Sequence, residues 1–429
     1  MYGTRSENKN PAAQRSRLGR LRRAGLAAGV LLALAFPAAG LDASAGGSYK
    51  SFLNWIYDPG WEGDSFGVST GILRFKASIY PNEWSAVDLA YQLYPEIRPE
   101  SLEQDSTFFS GGAGEYRVID LRRRLLPWSS AKVNNISLSQ ELDRAAVSLH
   151  LPFADLSVGR QAVAWGSARI VNPTDVIVPV RFSALESEYR KGVDAVRLRV
   201  PFGGMNELDA GYVFGEQLRF DRSAAFGRLK LYLLETDISV LTMLFREDLM
   251  IGLDLARALG EAGAWVEAAY VIPDILSLEA AQDAWAGDYL RLSAGLDYTF
   301  ANGFYTYLEY HLNSAGESDA ADYLQLAAEP AYSDGGAYLL GRHYLGLGGT
   351  YPLTPLLPAS ALALVNLNDL SLVITLCLEY NIKENVYVEA GCVLGLGENP
   401  VLAGGVPVEY RTEFGVYPNT IYTALKLYF

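Results

Sequence analysis

Apolar and polar residues alternate one by one through much of the C-terminal half of this chain, in runs long enough for a tilted strand to cross a bilayer. From Tyr289 to Phe300, one parity holds Leu290, Leu292, Ala294, Leu296, Tyr298 and Phe300, and the other holds Tyr289, Arg291, Ser293, Gly295, Asp297 and Thr299. After Ala301-Asn302-Gly303, a turn signal, Phe304, Thr306, Leu308, Tyr310 and Leu312 oppose Tyr305, Tyr307, Glu309, His311 and Asn313. A helix repeats at 3.6 residues, whereas a period of two sends successive side chains to opposite faces of a strand. The pattern runs on through Leu370–Tyr380, Val386–Leu396, Val408–Val416 and Ile421–Phe429. Many segments are about 9–11 residues, the length of a tilted membrane strand, where soluble strands average about 5–6. In lipid, strands survive only in a closed barrel that pairs every backbone group. The expected fold is therefore all-β, a single transmembrane antiparallel β-barrel.

Less regular segments fill in the rest: Phe66–Tyr80, Val87–Tyr94, Asn135–Leu142, Arg144–Leu151, Leu156–Ala164, Val193–Val200, Leu208–Gly215, Arg228–Leu234, Ile238–Phe245, Met250–Ala256, Ala264–Val271 and Leu339–Gly349. With a further strand near Arg117–Leu121, the count comes to about 16–18, enough to enclose an aqueous channel rather than a packed core. Longer connections are expected at Tyr94–Glu115, Trp165–Gly192, Pro273–Gly287, Asn313–Gly336, Tyr351–Asn368 and Gly397–Val406.

The N-terminus has a different character. Arg15, Arg17, Arg20, Arg22 and Arg23 precede an uncharged apolar run, Ala24–Phe36, and small residues then lead to Ala43-Ser44-Ala45. That order reads as a secretory signal peptide over residues 1–45, its apolar run too short for a spanning helix. The barrel is assigned to residues 46–429. Removing residues 1–45 takes away seven Lys/Arg and two Asp/Glu, moving the formal net charge from −14 to −19. An acidic chain argues against nucleic acid as a partner. The expected partners are outer-membrane lipid and lipopolysaccharide, the barrel-assembly machinery that reads the terminal Phe429, and small hydrophilic solutes. The barrel is expected as a monomer or a homotrimer.

Catalysis finds little support. The histidines, His150, His311 and His343, are scattered, and a hydrolytic site needs an activated nucleophile or water with a base and an orienting group. His311 shares a face with Glu309, but a pair without a third group reads better as a satisfied lumen histidine. No metal site and no cofactor are expected. Cys377 and Cys392 fall on opposite strand faces and are expected as free thiols.

The segment Leu142–Val200 carries the most information. Its elements GRQAVAWG, NPTDV and YRKGVDAVRL, in that order, resemble a group of largely uncharacterised Gram-negative outer-membrane proteins. Two later stretches, ALALVNLNDLSLVITLCLEYNIKENVYVEAG and TEFGVYPNTIYTALKLYF, resemble the same group. Those proteins are treated as porin-like barrels, loosely akin to the alginate-export type. The resemblance implies an outer-membrane channel and does not name its solute.

Trp165–Gly192 is a connection of about 27 residues, a length that is usually functional or disordered. It mixes order-promoting residues (Trp165, Ile170, Val171, Pro173, Ile177, Pro179, Phe182) with charges of both signs. The expectation is a loop folded into the lumen as a constriction. Its charged candidates are Arg160, Arg169, Asp175, Arg181, Glu186, Glu188, Arg190 and Lys191, with Arg197 and Arg199 facing it from the next strand. The competing reading is an extracellular loop merely solvated by charge. Arg160 is awkward, since its parity with Leu156 and Val158 points it at lipid. A bulge at Gly159 is favoured, with an early strand end as the alternative. Between Asp155 and Val200 the charges sum to +2, against the acidic background, and basic pore linings favour anions. A sugar acid is conceivable as cargo. The rival to a channel for small hydrophilic solutes is a structural or surface-attachment barrel with a blocked lumen; an outer-membrane enzyme comes third.

Overall fold

A computed structural model describes residues 42–58, 65–99, 116–126, 135–179, 186, 188–276, 287–329, 332 and 337–429. Among these, eighteen strands form one closed antiparallel ring. They are β1 (Asp42–Tyr57), β2 (Ser65–Asn82), β3 (Ser85–Ile97), β4 (Ile136–Leu151), β5 (Ala154–Gln161) and β6 (Val193–Phe202). Next come β7 (Asn206–Val213), β8 (Ala224–Leu233), β9 (Thr236–Phe245), β10 (Asp248–Leu259), β11 (Ala262–Ile272) and β12 (Tyr289–Thr299). The last six are β13 (Tyr305–Asn313), β14 (His343–Thr354), β15 (Leu357–Asn366), β16 (Leu372–Lys383), β17 (Val386–Leu396) and β18 (Asn419–Tyr428). Each strand pairs with its sequence neighbour, and β18 closes the ring on β1 from Ser48↔Tyr428 to Tyr57↔Asn419. Phe429 extends the seam: its amide donates to Gly47 O at 3.0 Å, and Gly47 N donates to Phe429 O at 2.7 Å. Closure leaves no unpaired edge, which lipid would not tolerate.

Connections sort by end. Two-residue turns join β2 to β3, β4 to β5, β8 to β9, β10 to β11, β14 to β15 and β16 to β17. The opposite end carries the long connections at 98–135, 162–192, 273–288, 314–342 and 397–418. Short turns at one rim and long loops at the other are the signature of outer-membrane barrels. The faces sort as sharply. Leu53, Trp55, Ile251, Leu253, Leu296, Leu308, Leu347, Leu376 and Ile421 are exposed outward, while Lys50, Arg74, Glu267, Arg291, Glu309 and Glu389 are buried inside. An apolar belt on the outer wall with charge inside suits lipid outside and polar contents within. Cys377 and Cys392 are free, and Cys392 pairs in register with Leu376, one residue short of Cys377, as opposite faces require.

Four expectations change. Asn135–Leu142 and Arg144–Leu151 are one strand, β4, in which Asp143 is a bulge: Arg144 pairs with Ala90 and Leu142 with Tyr91. A bulge inserts one residue and resets the alternation, which imitates a break in sequence. Val408–Val416 is no wall strand; the loop there holds a minor hairpin, Val401–Ala403 with Val406–Glu409, and a helical turn at Phe414–Val416. Tyr351–Asn368 is no long loop, for it contains the end of β14 and all of β15. The segment Arg117–Leu121 is irregular, and the short strand lies just beyond it at Arg123–Leu126, paired with β4. The first strand, β1, was not among the expected segments and begins at Asp42, so cleavage after Ala45 would trim its first four residues. The signal peptide itself falls, up to residue 41, outside the described residues.

Candidate functional site

The 162–192 connection leaves the wall at the end of β5, and its described residues pack inside the barrel. A backbone taken out of water needs partners for its amides, and the lumen wall supplies them. Trp165, against Phe226 edge to face at 4.6 Å, donates its indole N–H to Asp209 at 3.0 Å. Gly166 follows with φ +106°, and a Cβ there would strike the Glu267 carboxylate. That buried carboxylate accepts the amide of Ala168 at 3.0 Å and both the amide and hydroxyl of Thr174, at 2.9 and 2.7 Å. Two strands away, Glu309 accepts the amides of Arg169, Ile170 and Val171 at 2.7, 3.2 and 3.0 Å. It also accepts the Trp265 indole N–H at 3.0 Å. Between them, Ser293 donates to Val171 O at 2.6 Å and meets His311 Nδ1 at 2.8 Å. Ile170 and Val171 join one buried apolar cluster and Val176–Val178 another. One half of the loop is thus fixed to β11–β13 by two carboxylates.

The other half is fixed by charge on the far side of the ring. Asp175 is buried and ion-paired to Arg190, whose guanidinium also reaches Val178 O at 2.9 Å. Burial pushes the Asp175 carboxyl up to about 6, with Arg190 opposing the shift. Glu186 and Glu188 both hold Lys50 of β1, Glu186 at 2.7 Å. Tyr428 donates to Glu188 at 2.8 Å. Burial lowers the affinity of Lys191 for its proton, with Glu141 acting against that. The loop returns at Gly192, whose amide donates to the bulged Asp143 at 3.0 Å. Asp143 also pairs with Arg74 at 2.6 Å and Arg144 at 2.9 Å. The described residues of the loop therefore meet both β11–β13 and, across the ring, β1 and β4.

The expected residues divide accordingly. Arg169, Asp175, Glu186, Glu188, Arg190 and Lys191 lie on the lumen loop; Arg169 pairs with Asp297 at 3.0 Å over the Trp265 ring. Arg181 lies outside the described residues. Arg197 and Arg199 face inward, opposite the exposed Leu198. Arg197 grips Asp209 with two bonds, 2.8 and 2.6 Å. Arg199 reaches only Asp155, at 3.6 Å, toward the short-turn end. Arg160 is corrected: its pairing to Ala145 and Asp194 shows no register shift, so no bulge rotates it inward. The strand ends one residue later. Gly159 takes φ +117°, and Arg160 is buried at the rim against Asp194 at 2.7 Å, Leu142 O at 2.9 Å and Ile119 O at 3.0 Å. Loop chain, not lipid, covers it.

Glu267, Glu309 and Asp143 were missed as site residues. Each is a carboxylate at a lumen parity of a strand, the only signal available. Pairing of His311 with Glu309 does not occur, because each serves the loop through other partners.

The chain matches no protein-family model, and no curated protein matches it in sequence. Its fold does match solved outer-membrane barrels. OccAB2 of Acinetobacter baumannii aligns at 12% identity with a TM-score of 0.55, over 90% of this chain and 98% of that one. OccK2 (OpdF) of Pseudomonas aeruginosa, solved with glucuronate, aligns at 10% identity and TM-score 0.53, over 90% and 98%. OpdK of the same organism, solved with vanillate, gives 10% and 0.52, again over 90% and 98%. The chain has the fold of these Occ and Opd porins. The alginate-export type suggested by the sequence motifs is replaced by this likeness.

Proposed function

We propose that this chain is a porin-like channel of the Gram-negative outer membrane, passing small hydrophilic solutes, anions among them, by passive or weakly selective diffusion. The observation that carries this reading is the 162–192 loop, tied by Glu267 and Glu309 to one wall and by Lys50 to the other. A segment so held narrows a pore to a fixed cross-section without closing it by collapse. Its charged members, Arg169, Asp175, Glu186, Glu188, Arg190 and Lys191, form the constriction together with Arg197. Glucuronate and vanillate, named with two of the similar barrels, are both carboxylates, which supports small organic anions as cargo. The barrel acts as a conduit rather than an enzyme. It reaches the outer membrane after signal-peptide export through the periplasm, with assembly directed by the strand that ends at Phe429.

Reconstitution tests the reading. In planar bilayers the purified chain should give discrete conductance steps, and liposomes carrying it should swell in small sugars and sugar acids but not in large oligosaccharides. A blocked structural barrel is the second reading, supported by the apolar packing of Val176–Val178 inside the ring. Absence of both conductance and swelling would favour it over the channel.

A further inference from the structure

Lys50 and Lys426 stand directly opposite each other on β1 and β18, and Arg74 pairs in register two residues from Lys50, with Ser48. Like charges set opposite on one face of a sheet repel, so this wall needs anions. Part of the supply is local: Lys426 binds Glu379 at 2.9 Å and also Glu389, and Arg74 binds Asp143. Lys50 is different. The acids that meet it, Glu186 and Glu188, both come from the loop. The adjacent Tyr189 ring gathers cations of β1 and β2, with Lys76 Nζ 3.9 Å, Arg74 Cζ 4.4 Å and Lys50 Nζ 4.9 Å from its centre. Lys76 donates to the Tyr189 hydroxyl at 2.8 Å.

The two glutamates are not equivalent. The Glu186 side chain is 16% exposed and that of Glu188 is 40% exposed. Glu188 is therefore the one that can swing into water. Two of its donors, Lys50 and the Tyr428 hydroxyl, are fixed on strands. They form a preorganised cradle for a carboxylate, already filled by one.

We propose that Glu188 is a built-in competitor: its carboxylate occupies a wall site made by Lys50 and Tyr428, and the carboxylate of a permeating solute takes that site by exchange with it. The inference rests on the porin reading and names its ligand class, small organic monocarboxylates. Exchange of one carboxylate for another keeps Lys50 paired throughout, which matters because stripping a buried ion of its partner is costly. Glu186 stays behind and sets the register. The site is consequently weak by construction, as a conducting pore requires, because binding must also permit release.

Benzoate is the probe, applied to the full chain in planar bilayers. Wild-type channels should show brief, concentration-dependent benzoate block. Glu188→Gln removes the competitor, so block should deepen about tenfold in apparent affinity, the equivalent of one lost charge-assisted competitor, and reversal potentials in a KCl gradient should shift toward anions. Lys50→Met should abolish block. Glu188→Ala removes the same competitor by truncation and should shift block and reversal potential in the same direction; heat-modifiable gel mobility establishes that each variant is folded. If Glu188→Gln conducts with unchanged block and unchanged reversal potential, or if it misfolds and Glu188→Ala leaves block unchanged, the competitor role is wrong while the porin reading stands. If the wild type itself does not conduct, the porin reading fails and this inference with it.

Discussion

The two halves of the lumen loop are held by opposite means. Near β11–β13, Glu267 and Glu309 accept five loop amides between them, and those carboxylates and most of the amides they hold are buried. Near β1 and β2, by contrast, side chain meets side chain, with Lys50, Arg74 and Lys76 around Glu186, Glu188 and Tyr189. Backbone anchoring fixes the path of the chain and cannot be exchanged one bond at a time. Side-chain pairing fixes only a charge balance, which under the proposed exchange a solute carboxylate would enter. The loop thus joins a static hinge-side to an adjustable pore-side, and four substitutions or conditions measure how sharply the two differ.

The largest effect belongs to the static half. Glu309→Ala strips three loop amides and the Trp265 indole of their acceptor, and each buried donor left alone costs about 1–3 kcal/mol. The loop should detach locally, with proteolytic cleavage near Ile170 accelerated and single-channel conductance raised several-fold. Equal protease resistance in the variant would mean that the apolar contacts of Ile170 and Val171 hold the loop by themselves.

Arg197→Ala comes next. It leaves Asp209, 1% exposed, without its guanidinium, and breaking a buried pair from one side costs about 3–5 kcal/mol. Trp165 still donates to Asp209, so the loss should fall at the low end of that range. Thermal unfolding in detergent would measure it.

Acidity probes the junction between the halves. The buried Asp175 carboxyl sits at about 6 in the folded chain, above the unfolded value of about 3.9. The docked loop then binds that proton more tightly than the undocked one, so docking is strongest below about pH 4 and weakens as pH rises through about 6. Loop proteolysis should be faster at pH 7.5 than at pH 4.5, and Asp175→Asn should flatten the difference. A profile that keeps its slope in Asp175→Asn would assign the effect to another group, such as Glu413, whose carboxyl burial lifts to about 7.

Arg199→Ala should do least. Arg199 and Asp155 are both partly exposed and 3.6 Å apart, and pairs open to solvent contribute about 0–1 kcal/mol. Conductance and stability should stay near wild type, the contrast with Arg197 showing that inward parity alone does not make a constriction residue.

The wall was readable because lipid on one side and polar contents on the other impose a two-residue period. Reading stopped where that period was reset or masked. Asp143 split β4 in sequence because a bulge shifts parity without ending the strand. β15 reads LPASALALVN, too weak in alternation and too rich in Pro and Ala to separate from a loop. The lumen loop could be suspected from its length and mixed composition, but its anchors could not. Glu267 and Glu309 look like any other lumen acid, and only the fold brings them to amides about 100 and 140 positions earlier.

The seam between β1 and β18 has a further consequence. It is held by the same ladder as every other pair but has no peptide crossing it, so the ring is indifferent to where the chain is cut. The residues on either side, Gly47 and Phe429, are hydrogen-bonded to each other at the rim that carries the short turns. A circular permutant that links these ends and opens instead at 234–235 would keep each register of the ring. Its wall would be built in a different order, from β9 round to β8, with the strands that flank the loop, β5 and β6, made among the last four. Whether such a chain assembles would separate the stability of the ring from the route by which it closes.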